Sequence, residues 1–227
     1  MAEARYDDHA DWYDDWAFAP GDDFVALSLL DLVGPVQGQR ILDLACGQGR
    51  IARHLAAAGN DVVGVDLSAA LLAFARRHPD PRVTYVEADV CTTGWWDGRP
   101  FDGAVASMSL MDVDDLAGAV ATVATTVRPG GWFAWNVVHP CFPGDGEDVR
   151  PSWPPAGYFE EGWWNTGGPG VRGRVGSNHR TLSTYLNTVT AAGFTLEATD
   201  EPPWTPGPGG PPLPFFLTTR WRRCGSR

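Results

Sequence analysis

Residues 41–50 read Ile-Leu-Asp-Leu-Ala-Cys-Gly-Gln-Gly-Arg, a short apolar run, a turn with two glycines and the start of a helical pattern. An apolar run this short, closed by glycine, is the pattern of a strand buried on both faces, and such strands belong to parallel sheets. The chain repeats the arrangement. Strands are expected at 40–45, 61–66, 82–88, 101–108 and 131–138, with helices at 50–59, 68–78 and 113–127 between them. Strands separated by helices of this length form βαβ units, so the fold class is α/β, a mostly parallel sheet with helices on both faces.

The flanks differ from this middle. Residues 3–18 put Tyr6, His9, Ala10, Tyr13 and Trp16 on one stripe and crowd aspartates on the other side, an amphipathic helix. A second helix is expected at 23–33, so residues 1–35 form a helical N-terminal cap. Periodicity is lost over 139–178, where Gly, Pro and Trp153, Trp163 and Trp164 accumulate. A long irregular segment rich in aromatics reads as a lid-like insertion. A helix at 180–192 and two closing strands, 194–200 and 215–222, separated by a Pro/Gly loop, complete a single domain over 1–227.

Composition narrows the function. A net charge of −11 argues against a nucleic-acid partner, which requires basic patches. No apolar run approaches the length of a membrane span, and the acidic N-terminus lacks a signal-peptide core. Cys46, Cys91, Cys141 and Cys224 stand far apart, with no metal-ligand spacing, so no metal is expected and the cysteines read as reduced thiols of a cytoplasmic protein.

Gly47 and Gly49 let the backbone turn sharply and approach a ligand at a helix N-terminus. Gly47-x-Gly49-x-x-Ala52 also matches a dinucleotide fingerprint. A phosphate loop, however, has little use for a carboxylate four residues before its first glycine, whereas an ammonium and a sulfonium do; Asp43 therefore favours S-adenosylmethionine (SAM). Asp66, ending the second strand 17 residues past Gly49, suits a ribose diol. Asp89, after the third strand, suits the adenine amino group.

In order along the chain, 6–16 (YDDHADWYDDW), 41–49 (ILDLACGQG), 62–68 (VVGVDLS), 86–90 (VEADV), 101–115 (FDGAVASMSLMDVDD) and 128–142 (RPGGWFAWNVVHPCF) resemble the class I SAM-dependent methyltransferases, in the broad group of small-molecule enzymes that includes ubiquinone-biosynthesis types. The resemblance implies a Rossmann-like seven-stranded sheet with its last strand antiparallel. It sets Asp43, Gly47 and Gly49 against the methionine end of SAM, Asp66 and Leu67 at the ribose and adenine, Asp89 and Val90 at the adenine, and Ser107 and Met108 beside the sulfonium. Arg50 departs from the family, where many relatives carry a third glycine. Residues 174–194 resemble a subgroup common in actinobacteria, many of whose members modify secondary metabolites.

Methyl transfer needs alignment, desolvation and, for some acceptors, a base. His139, following the fifth strand, is the expected base, with Tyr13 assisting. Trp16, Met111, Trp163, Trp164 and His179 are expected to wall the pocket of a small, aromatic or heteroaromatic acceptor. The alternatives weighed are a SAM-binding regulatory subunit without activity and, further off, an NAD-dependent oxidoreductase.

Overall fold

The structure is a computed structural model and describes residues 3–17, 24–141, 154, 157–205 and 212–225. After a 3-10 turn at Asp7–His9 come α1 (Ala10–Ala17), α2 (Phe24–Val33), β1 (Arg40–Leu44), α3 (Arg50–Ala57), β2 (Asp61–Asp66), α4 (Ala69–Ala75), β3 (Val83–Glu87), β4 (Phe101–Ser107), α5 (Leu116–Thr126) and β5 (Val127–Val138). Then follow β6 (Gly162–Trp164), α6 (Val171–Arg174), β7 (Ser177–His179), α7 (Leu182–Ala191), β8 (Phe194–Asp200), β9 (Pro203–Trp204), β10 (Leu213–Pro214) and β11 (Phe216–Arg223).

Seven strands form the main sheet in the order β3-β2-β1-β4-β5-β11-β8. The pairs from β3 to β5 are parallel, and β11 runs antiparallel to both β5 and β8. The expected Rossmann-like sheet with an antiparallel last strand is the one observed. Strand alternation sorts its core into two layers. Leu42, Leu44, Ala104, Ala106, Phe133 and Trp135 pack with α5 and α7, while Ile41, Val105, Trp132 and Ala134 pack with α2 and α3. Helices therefore cover both faces. Gly103 makes room for this packing: a Cβ there would lie 2.0 Å from the Trp132 indole.

Local chemistry sets the helix starts. Ser68 Oγ accepts from Leu71 N–H (3.0 Å) at α4, and Asp115 accepts from Gly118 N–H (2.8 Å) at α5, as N-caps do. Gly49, at φ +78, precedes α3 without a side-chain cap, leaving that end open.

Two expectations change. The segment after His139 is not wholly irregular: Gly162–Trp164 pairs antiparallel with Ser177–His179 across a short α6. Strands of three residues are too short to show a period. Trp153 and most of 142–156 lie outside the described residues. In addition, Arg128-Pro129-Gly130-Gly131 belongs to β5 rather than to a turn before it, with a register shift against β4 between Phe101 and Gly103.

Candidate functional site

A cleft of about 560 Å³ opens at the carboxyl ends of β1, β2 and β4, where ligands bind in open parallel sheets. Asp43, Gly47, Asp66, Leu67, Asp89, Val90, Ser107 and Met108 all line it. Gly49 does not, but it shapes the loop: a Cβ there would sit 2.2 Å from Tyr85 Oη. Among the described residues two other than glycine adopt left-handed backbone, Ala45 at φ 53 and Met108 at φ 52, and both line the cleft. Such strain, at the ends of neighbouring strands, is typical of binding sites.

The carboxylates differ in their partners. Asp66 accepts from Gly47 N–H (2.7 Å) through Oδ2 and from Ser68 N–H (2.8 Å) through Oδ1, so it holds the glycine loop as well as facing the ligand. Burial raises its carboxyl, and these backbone bonds oppose the rise. Asp43 is 1% exposed, and its Oδ2 is buried without a hydrogen-bond partner. Burial pushes this group up to about 7, against a bond from the Ala52 backbone, and the nearby Asp66 adds to the rise. An orphaned carboxylate oxygen at a cleft is expensive unless a ligand donates to it. An ammonium group does so, whereas a diphosphate would be repelled. The residues present therefore fit SAM better than a dinucleotide.

At the other end of the cleft the N-terminal segment closes over the loop from β4 to α5. Arg5 Nη2 lies 2.7 Å from each oxygen of Asp114, Tyr6 Oη donates to Asp112 Oδ2 (2.9 Å), and beside Asp66 Ser68 Oγ donates to Asp7 Oδ1 (2.5 Å). Tyr13 lines the cleft and meets the Tyr6 ring edge-on at 5.0 Å. A smaller cavity of about 90 Å³ adjoins, walled by Met108, Met111, Val138, Phe215 and Arg172 among others.

Several expected residues are not brought to either cavity. His139 is buried, with Nε2 2.7 Å from Glu201 Oε1 and Nδ1 accepting from Cys141 N–H at 3.1 Å. With both ring nitrogens engaged away from the cleft, it has the geometry of a structural histidine. His179 is also buried, its Nε2 on the Tyr158 carbonyl (2.8 Å). Trp16 is 44% exposed and stacks on Trp12 at 5.9 Å. Trp163 is half-exposed and backs the cleft wall from outside. It covers Gly176, where an added Cβ would meet the indole at 2.5 Å. Trp164 pairs with Ser177 beside it. Asp112 and Tyr6 also line both cavities, and no sequence pattern marks them as site residues. Asp112 stands in an acidic run that reads as solvated surface, and only the closure of residues 5–7 reveals its setting. Among the described residues no group of three or more His, Cys, Asp or Glu is placed to hold a metal, and no helix is long and apolar enough to cross a membrane.

Sheet order, strained strand ends and an orphaned acid define a nucleoside-binding α/β protein of the methyltransferase type. Residues 41–131 match the family model described as a methyltransferase domain. A SAM-dependent methyltransferase from Mesorhizobium loti is 31% identical, with 87% of this chain and 96% of that chain covered and a TM-score of 0.69. The ubiquinone biosynthesis O-methyltransferase of Paracidovorax citrulli is 32% identical over 117 residues, 50% of this chain and 49% of the relative. The demethylmenaquinone methyltransferase of Renibacterium salmoninarum is 36% identical over 104 residues, covering 45% and 43%. The chain thus spans about half the length of the curated relatives it matches. It belongs to the SAM-dependent methyltransferases, and S-adenosylmethionine is the cofactor of that family.

Proposed function

We propose that the chain transfers the methyl group of SAM to a small acceptor with an aromatic or heteroaromatic body. The observation that carries this reading is that a single cleft is lined both by Asp43, with its orphaned oxygen, and by Tyr6, Tyr13 and Met108. SAM, when bound, supplies a methyl group on a sulfonium leaving group. Asp43 would receive the ammonium group, Asp66 the ribose hydroxyls, and Asp89 with Leu67 and Val90 the adenine. Ser107 and the strained Met108 would border the reacting carbon. The chain's task is then alignment and exclusion of water.

Two relatives, a ubiquinone biosynthesis O-methyltransferase and a demethylmenaquinone methyltransferase, support an aromatic acceptor, and the first supports transfer to oxygen. A place in secondary metabolism rests only on the resemblance of residues 174–194. A reducing cytoplasm suits the four free cysteines. Calorimetry with SAM and S-adenosylhomocysteine tests the reading: both should bind, and NADH should not. Binding of NADH without a response to SAM would overturn it.

A further inference from the structure

The wall shared by the cleft and the adjoining cavity consists, among the described residues, of Tyr6, Tyr13, Met108, Asp112 and Gly176. An acceptor in the smaller cavity must reach the donor past these five. Its surroundings are apolar on most sides, with Met111, Val138, Val171 and Phe215. A carboxylate in such a wall is costly to keep without a task.

We infer that Asp112 is the catalytic base of the transfer, accepting the proton of an acceptor that enters neutral with its nucleophilic hydroxyl still protonated, and that Tyr6 is the positioning residue which fixes the carboxylate toward that acceptor. This inference rests on the methyl-transfer reading above. In the step, the acceptor oxygen forms a bond to the methyl carbon while the carbon–sulfur bond breaks, its electron pair staying on sulfur to leave the neutral thioether. The acceptor's proton passes to an oxygen of Asp112 and from there to solvent.

The neighbouring groups leave this role to Asp112. Tyr6 donates to Oδ2, so that oxygen is held and the carboxylate cannot swing freely. Burial keeps both tyrosines protonated, Tyr13 pushed up to about 12 and Tyr6 well above its usual value. Met108 and Gly176 carry no acid. Asp114, nearby, is committed to Arg5 and to Asn178 Nδ2 (3.0 Å). The charged and titratable groups that interact with Asp112 are Tyr6 and Arg5 from the N-terminal segment, Arg172 from α6, Asp66 from the end of β2, Tyr13 from α1 and Tyr185 from α7. Burial is the largest influence and pushes the carboxyl up to about 6, while the Tyr6 bond, Arg172 and Arg5 pull it down and Asp66 adds to the rise. A base in this range is ionised at neutral pH yet basic enough to accept a proton.

Catechol serves as the probe, with methyl transfer followed by release of S-adenosylhomocysteine and catechol binding followed by calorimetry on protein saturated with that product. With SAM kept saturating at every pH, the wild-type rate should fall as the pH drops through about 6. Asp112→Asn should lower turnover about 100-fold or more and catechol affinity about tenfold, while S-adenosylhomocysteine still binds. Tyr6→Phe should retain activity but move the acid limb to higher pH, because a bond to the ionised carboxylate is lost. Wild-type turnover by Asp112→Asn, or binding of S-adenosylhomocysteine with no uptake of catechol by the wild type, overturns the inference. Should Asp112→Asn fail to fold, an unmoved acid limb in Tyr6→Phe overturns it as well. Failure of the wild type to bind either SAM or its product strikes the methyl-transfer reading instead.

Discussion

The two ends of the cleft are built in opposite ways. The proposed donor end is built on β1, the glycine loop and β2, with Asp89, Val90, Ser107 and Met108 added after β3 and β4, and its loop is held by backbone N–H groups on Asp66. The proposed acceptor end is assembled from residues 5–13, 108–114 and 171–180, joined by side chains: Arg5 to Asp114, Tyr6 to Asp112, Asn178 to Asp114, and Arg180 to the carbonyls of Leu110 and Val113. A site held by backbone in the sheet tolerates little change. One held by side chains on loops can be retuned residue by residue, so the donor chemistry stays fixed while the acceptor varies.

If this contrast holds, changes at the donor end should be the severe ones. Gly49→Val places a branched side chain at φ +78 against Tyr85 and should cost about 3 kcal/mol of folding stability, read by denaturant unfolding; a stable, SAM-binding variant would show the loop to be looser than described. Asp66→Ala should weaken SAM by roughly 1.5–3 kcal/mol in calorimetry, part of it through release of Gly47.

The pH dependence tests the same end. Because the Asp43 carboxyl is raised to about 7 in the folded chain from a usual 3.8, the folded state binds more protons than the unfolded one between those values. Asp43 therefore contributes stability below about pH 4 that is lost as the pH rises to about 7. SAM needs the ionised form, so its affinity should fall as the pH drops below about 7, and the rise in Tm that it produces should be larger at pH 8 than at pH 5.5. An equal rise at both would separate Asp43 from the ammonium. The smallest effect belongs to the acceptor end: Arg5→Ala breaks a pair whose Asp114 side is half-exposed and should cost about 0.5–1 kcal/mol of stability without altering SAM affinity.

The same contrast explains what was legible in the sequence. β1 and its loop announce themselves because a strand buried on both faces must be apolar and the turn must carry glycine. Asp43, Gly47 and Asp66 follow at fixed spacings. The acceptor end depends on contacts between residues more than a hundred positions apart, such as Tyr6 with Asp112, and no local pattern records them. His139 is the converse case: its place after a strand suggests a base, but its ring is held by Glu201, 62 residues on. Trp163 suggested a pocket lining for its bulk, yet the small Gly176 takes the inner position. Pro129 and two glycines look like a stop, yet β5, an inner strand, runs through them with a register shift against β4.

The place of β11 has a consequence for how the molecule is made. It lies between β5 and β8, although it follows both in the chain. During synthesis on the ribosome the first five strands can line up as they emerge, but β8 then has no neighbour to join. The growing chain must hold it in waiting, with the side of β5 open and prone to the wrong mate, until residues 216–223 slide between them. Birth order and spatial order part company here, and loss of this one strand would leave both β5 and β8 without their shared neighbour.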